Sequence, residues 1–130
     1  MKNRLPKISE REKDVMIVLW HASEALTASA ISEKGNRLSI NTVQPVLKNL
    51  MKKEYIEVAQ IVYSGTVLTR SYKPLISAEQ YAADQLHVMR LNTLNFSTMN
   101  FLDHLAKNDE SGILDELEDI IKRKKEQEDN

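Results

Sequence analysis

Between Asn41 and Lys52 the chain carries amides, a hydroxyl and amines with no acid among them: Asn41, Thr42, Gln44, Lys48, Asn49 and Lys52, with Pro45 in their midst. Amide side chains pair with the edge of adenine, and lysine reaches guanine acceptors or phosphate. A small hydroxyl near a helix N-terminus joins the backbone N–H groups that take a phosphate. On a helix, Asn41, Pro45, Lys48 and Lys52 fall within about 40° of one pole, with Gln44 and Asn49 at their flanks. Val43, Leu47, Leu50 and Glu54 fall within about 40° of the opposite pole, flanked by Val46 and Met51. That second face is the inward one, with Glu54 at its frayed end. A solvated helix side also faces outward, but it ordinarily mixes Glu with Lys. Pro45 lacks the N–H that would bond the Asn41 carbonyl. Either the helix starts near Thr42 and the proline sits in its first turn, or the helix kinks there.

Other reactive residues are sparse. With no cysteine there is no disulfide, thiolate ligand or thiol nucleophile. The three imidazoles are His21, His87 and His104. Asp84 with His87, and Asp103 with His104, would make a zinc site only if their helices met, and a surface histidine beside an acid is the commoner arrangement. No G-x-S-x-G elbow and no glycine-rich phosphate loop occurs. Lys122-Arg123-Lys124-Lys125 suits a helix C-terminus, where cations oppose the dipole, better than a second phosphate patch. The expectation is no catalysis, no metal and no cofactor.

The elements that must position the polar face can be read from caps and periods. Ser9 and Glu12 make a capping box ahead of the apolar run Val15–Trp20, a first helix ending near Ala22. Thr27 caps a short second helix, Ala28 to Lys34, which Gly35 and Asn36 stop. Ser39 caps the third, running to about Lys53. Two β-rich stretches come next, Ile56–Tyr63 and Thr66–Lys73, around a Ser64-Gly65 turn, and Pro74 ends the second. Ser77 and Gln80 make another capping box, for a helix to about Asn92. Another helix covers about Phe96 to Ala106, and the last begins after a polar break at 108–112. Met99, Leu102 and Leu105 share one side of the fifth helix, and Leu114, Leu117 and Ile121 repeat on the sixth. Three helices, a hairpin and three more helices is the order of a winged helix-turn-helix with a helical tail, a mainly α fold with a small β-hairpin.

The 130 residues suffice for one compact unit or two small ones. Hydrophobic residues at 42% and charged ones at 28% are those of an ordinary folded protein. The longest apolar run falls far short of the roughly 20 residues of a membrane span, and the N-terminus does not read as a secretory signal, so the cytoplasm is expected, without membrane insertion. The net charge of −1 conceals an asymmetry. Residues 1–74 hold 12 Lys/Arg against 7 Asp/Glu, and residues 75–130 hold 6 against 12. A basic front seeks phosphate, because its charges displace condensed counterions. The division is therefore a winged-helix DNA-binding domain over 1–74 and a helical dimerisation domain over 75–130.

These motifs, taken in order, resemble the penicillinase-repressor family, which includes β-lactamase, methicillin-resistance and copper-responsive repressors. Ile8–Trp20 resembles its first helix, Ser39–Leu50 its recognition helix, and Arg70, Tyr72 and Pro74 the end of its wing. Asn100-Phe101-Leu102 and the final helix resemble its dimerisation region. The resemblance implies a homodimeric repressor on an inverted-repeat operator in duplex DNA. In the antibiotic-resistance members a membrane-bound sensor protease leads to a cut at an Asn–Phe bond, and the matching pair here is Asn100–Phe101. Loss of residues 101–130 would remove Leu102, Leu105, Leu114, Leu117 and Ile121, the expected dimer contacts. The copper-triggered mode uses paired cysteines, which this chain lacks. Departures fall on the reading surface: Ile40-Asn41 replace the family's usual proline and basic residue, Pro45 a threonine, Asn49 an arginine and Leu38 a tryptophan. From the residues alone, a winged-helix protein-interaction module without sequence-specific DNA binding is the alternative. Steep salt dependence of duplex binding separates the two.

Overall fold

The computed structural model describes residues 4–108 and 112–129. The elements run α1 (Glu10–His21), β1 (Leu26–Thr27), α2 (Ala28–Lys34), α3 (Ile40–Lys52), β2 (Ile56–Ser64), β3 (Val67–Pro74), α4 (Ala78–Asn92), α5 (Thr98–Lys107) and α6 (Ile113–Asp129). Contacts divide the chain between Leu86 and His87 into two compact units. The division falls within α4, beyond Pro74, because the start of α4 packs on the winged helix. The Trp20 Nε1 donates to the Ile76 carbonyl at 2.8 Å, and the Tyr81 ring lies against Trp20 and Tyr55.

Caps set the helix starts. The Ser9 hydroxyl accepts from the Glu12 N–H at 3.2 Å, while the Glu12 carboxylate accepts from the Ser9 N–H at 2.8 Å. Thr27 and Ser39 likewise accept from the N–H three residues on. Ser97 caps α5, whose first residue, Thr98, comes two residues later than the expected start at Phe96, because Asn95 takes a left-handed φ of 63° and holds the chain out of the helix. The hairpin is joined by a third strand that periodicity does not reveal. β1 pairs antiparallel with β3, Leu26 opposite Tyr72, to give the order β1-β3-β2. Two residues are too few to show an alternation.

The core of the first unit is built by Val15, Met16 and Leu19 of α1, Ile31 of α2, and Val43, Val46, Leu47 and Leu50 of α3, closed by Leu26, Leu38, Tyr55 and Ile56. The inward face of α3 is thus the expected one, except at its end. Glu54 lies beyond the helix, exposed, at φ 61°. The helix stops at its C-cap Lys53, and the left-handed turn carries Glu54 off the wheel. Among the described residues, two polar ones are buried with the core, Glu12 and Ser71. The Lys53 ammonium donates to Glu12 at 2.7 Å and to the Lys7 carbonyl at 2.8 Å. Burial pushes the Glu12 carboxyl up, but the bonds from Lys53 and Ser9 outweigh it and hold it below the usual Glu value.

In the second unit, none of the described residues is buried. The Phe96 and Phe101 rings meet at a tilt of 39°, with centroids 6.1 Å apart. Met89, Leu91, Leu94, Met99 and Ile120 are exposed, Leu94 at 90%.

Candidate nucleic-acid interface

α3 begins at Ile40, so Pro45 is its sixth residue, beyond the first turn. The proline removes the bond to the Asn41 carbonyl, on a face where both residues are exposed and water can take that carbonyl. Asn41, Gln44, Pro45, Lys48, Asn49 and Lys52 are all exposed. Among the described residues, no ion pair engages Lys48 or Lys52. Thr42 differs: it is half-buried, its N–H is capped by Ser39, and its hydroxyl lies 3.0 Å from the Ser39 hydroxyl. It stiffens the helix start more than it offers a free hydroxyl.

Arg70 is exposed on β3, opposite Ile61 of β2. The register pairs Tyr63 with Leu68 and Ser64 with Val67 at the tip, where Gly65 takes the positive φ of 66° that the turn requires. A bulge between Val58 and Gln60 interrupts the ladder, and the buried Ser71 hydroxyl donates to the Gln60 carbonyl beside it at 3.1 Å. The hairpin from Val58 to Thr69 has no charged residue, and Tyr63 and Leu68 are 73% and 59% exposed. The wing is therefore apolar at its tip, and charge enters only at its base, where Arg70 is exposed and Lys73 faces Glu57 at 3.9 Å, a distribution that strand alternation alone does not disclose.

The remaining expected residues lie elsewhere. Asn100 is exposed and Phe101 half-buried in the first turn of α5. The Asn100 N–H donates to the Ser97 hydroxyl at 3.1 Å and the Phe101 N–H to the Ser97 carbonyl at 3.0 Å. Leu102 and Leu117 are half-buried; Leu105, Leu114 and Ile121 are exposed. Asp84 holds Arg4 at 2.9 Å, and Asp103 holds Lys107 at 3.1 Å. Among the described residues, no group of three or more His, Asp or Glu stands where it would hold a metal. No described helix is long and apolar enough to cross a membrane.

A short second helix, a turn, a third helix with an acid-free polar face, and a three-stranded wing define a winged helix-turn-helix regulator of transcription. The chain belongs to the penicillinase repressor family, which matches residues 8–123, and is by that membership a DNA-binding repressor rather than an enzyme. It is 33% identical over 132 residues to a penicillinase repressor of Bacillus licheniformis, across 95% of this chain and 98% of that one. Among solved structures, a MepR mutant from a multidrug-resistant S. aureus clinical isolate shares 15% identity at a TM-score of 0.41, over 88% of this chain and 75% of that one.

Proposed function

We propose that two copies of this chain bind an inverted-repeat operator, each placing α3 in a major groove and its wing along the flanking backbone, in the cytoplasm. The observation that carries the reading is the outer face of α3. Gln44, Lys48, Asn49 and Lys52 stand exposed on a helix whose opposite side is locked into the core, so they present donors and acceptors at fixed spacing. Homodimerisation is supported by the second unit. A set of helices with exposed Leu105, Ile120 and Ile121 and no buried residue among those described gains a core only from a second copy. Linking two heads raises the effective concentration of the second once the first is bound.

Selection of bound sites from random duplexes tests both parts. The expected product is a two-fold repeat bound with steep salt dependence, weakened by Gln44→Ala and Lys48→Ala. No enriched sequence, or binding indifferent to both substitutions, refutes the reading. For the dimer, sedimentation of the full chain is expected to show a dimer at micromolar concentration, and Ile120→Asp with Ile121→Asp is expected to yield monomers.

Inactivation by a membrane sensor protease at Asn100–Phe101 completes the proposal. The bond lies in a first helical turn, and opening it requires loss of the two Ser97 hydrogen bonds. Such local opening costs less than global unfolding. Derepression under inducing antibiotic with the chain still full length refutes this step.

A further inference from the structure

A cavity of about 710 Å³ lies between one face of α1 and the turn joining α2 to α3. None of its lining residues belongs to α3 or the wing. Its apolar floor is made by Ile17, Val18 and Leu38, with Ile17 40% exposed. Its rim carries Arg11, His21, Lys34 and Arg37 against one acid, Asp14. That acid sits 3.8 Å from Arg11 in a loose pair, both side chains about half exposed, so Arg11 is only weakly neutralised. His21 Nδ1 lies 2.9 Å from the Ile17 carbonyl and so donates to it, which leaves Nε2 for a ligand. Arg37 holds a left-handed φ of 65°, uncommon for a residue with a side chain.

We propose that this cavity binds an amphipathic organic anion and that its occupancy sets operator affinity, an inference that rests on the DNA-binding reading above. Charge complementarity selects the anion: three permanent cations surround a single carboxylate. The floor selects a carbon body, because a bare phosphate leaves Ile17 and Val18 in water. The volume suits a ligand of a few rings. The route to DNA is short. Leu38 directly precedes Ser39, the cap of α3, and its carbonyl is held by the Ser32 hydroxyl at 2.7 Å. The turn is tight: a Cβ on Gly35 would stand 2.4 Å from Leu38 Cδ1. A ligand seated on Leu38 bears on the cap of the recognition helix.

The test titrates the full chain with 8-anilinonaphthalene-1-sulfonate, followed by dye fluorescence, beside N-phenyl-1-naphthylamine, which has the same rings and no sulfonate. The expected result is one site per chain, weakened about tenfold in Arg37→Gln with Lys34→Gln, and similarly for the neutral dye, since a lost charged hydrogen bond has that effect. Ile17→Glu, at a half-exposed position, is expected to abolish this site while Trp20 fluorescence and helicity stay unchanged. Dye binding unaltered by these variants, equal affinity for the neutral dye, or displacement by inorganic phosphate overturns the site. Saturating dye is expected to change operator affinity severalfold, and operator to change dye affinity by the same factor. A seated dye that leaves operator affinity unchanged overturns the coupling. Simple exclusion of dye by DNA, with a lower salt slope in Lys34→Gln and Arg37→Gln, assigns these cations to phosphate and overturns the proposal. A chain that binds no operator refutes the DNA-binding reading, while the dye titration still reads the site by itself.

Discussion

Replacing Lys53 with methionine removes one ammonium and two hydrogen bonds, to Glu12 and to the Lys7 carbonyl, while keeping most of the apolar stem. The Glu12 side chain is only 6% exposed, and its carboxylate keeps the bond from the Ser9 N–H but loses its countercharge. A lost charged hydrogen bond costs about 1.5–3 kcal/mol, and stranding a buried charge costs more. Lys53 is a third exposed, and water replaces part of what is lost, which puts the expected cost at about 2–3 kcal/mol. Trp20 is the only tryptophan and lies in the same unit, so urea unfolding followed by its fluorescence reads the change. The sign of the pH dependence is a sharper test. In the wild type the carboxyl titrates below its ordinary 4.5, so its contribution is complete above that value and disappears as the pH falls through the lower, folded value. Without Lys53, burial opposes only the Ser9 bonds, and the carboxyl moves up. The cost of Lys53→Met is therefore largest at neutral pH and shrinks as the pH falls toward the wild type's folded value, which lies below 4.5. Adding Glu12→Gln to Lys53→Met is expected to recover about 1–2 kcal/mol. A cost under about 0.5 kcal/mol at neutral pH, the scale of a surface pair, or one that does not vary with pH, refutes the argument.

Gln44→Ala and Lys48→Ala are expected to relax preference at particular operator positions by about 1–3 kcal/mol, whereas Arg70→Ala weakens all duplexes alike and lowers the salt slope by about one, as titrations on operator and random DNA will show. Gly35→Ala drives a methyl into Leu38 Cδ1 and is expected to destabilise the first unit by about 1–3 kcal/mol in urea unfolding. Burial pushes the Tyr55 hydroxyl, which donates to the Pro6 carbonyl at 2.6 Å, up to about 12. The unfolded chain loses that proton first, so stability falls as the pH rises from the ordinary 10.0 toward 12; Tyr55→Phe is expected to flatten that fall in alkaline titrations.

The helix starts were legible because Ser9, Thr27, Ser39 and Ser77 each cap the N–H three residues on, a signal contained within four letters. The polar face of α3 was legible because exposure and burial alternate along a single helix. What escaped was long-range. Glu12 reads as half of a capping box, and nothing local reveals Lys53, 41 residues away, as its second partner. β1 is too short for a period, and Glu54 left the wheel through one left-handed residue. The cavity combines a face of α1 with a turn, each ordinary alone. The wing reads in sequence only as two β-rich stretches around a turn, which cannot say whether either face is covered.

The ties of Lys53 to Glu12 and Lys7, with Tyr55 bonded to Pro6, all gather at one end of α3. The other end, at Leu38 and Ser39, is held by the Ser32 hydroxyl on the Leu38 carbonyl, by buried Leu38 and, at the fourth residue of the helix, by fully buried Val43. α3 is thus tied by polar bonds at one end and by apolar packing along its length. Its 13 residues span about 20 Å at 1.5 Å each. A tilt of about 3° about the Lys53 end would carry Asn41 and Gln44 through most of an ångström, enough to take a 2.9 Å hydrogen bond to about the limit of its useful length. Val43, Val46 and Leu47, buried beneath that stretch, oppose such a tilt, so the packing of three apolar side chains sets the precision with which bases are read.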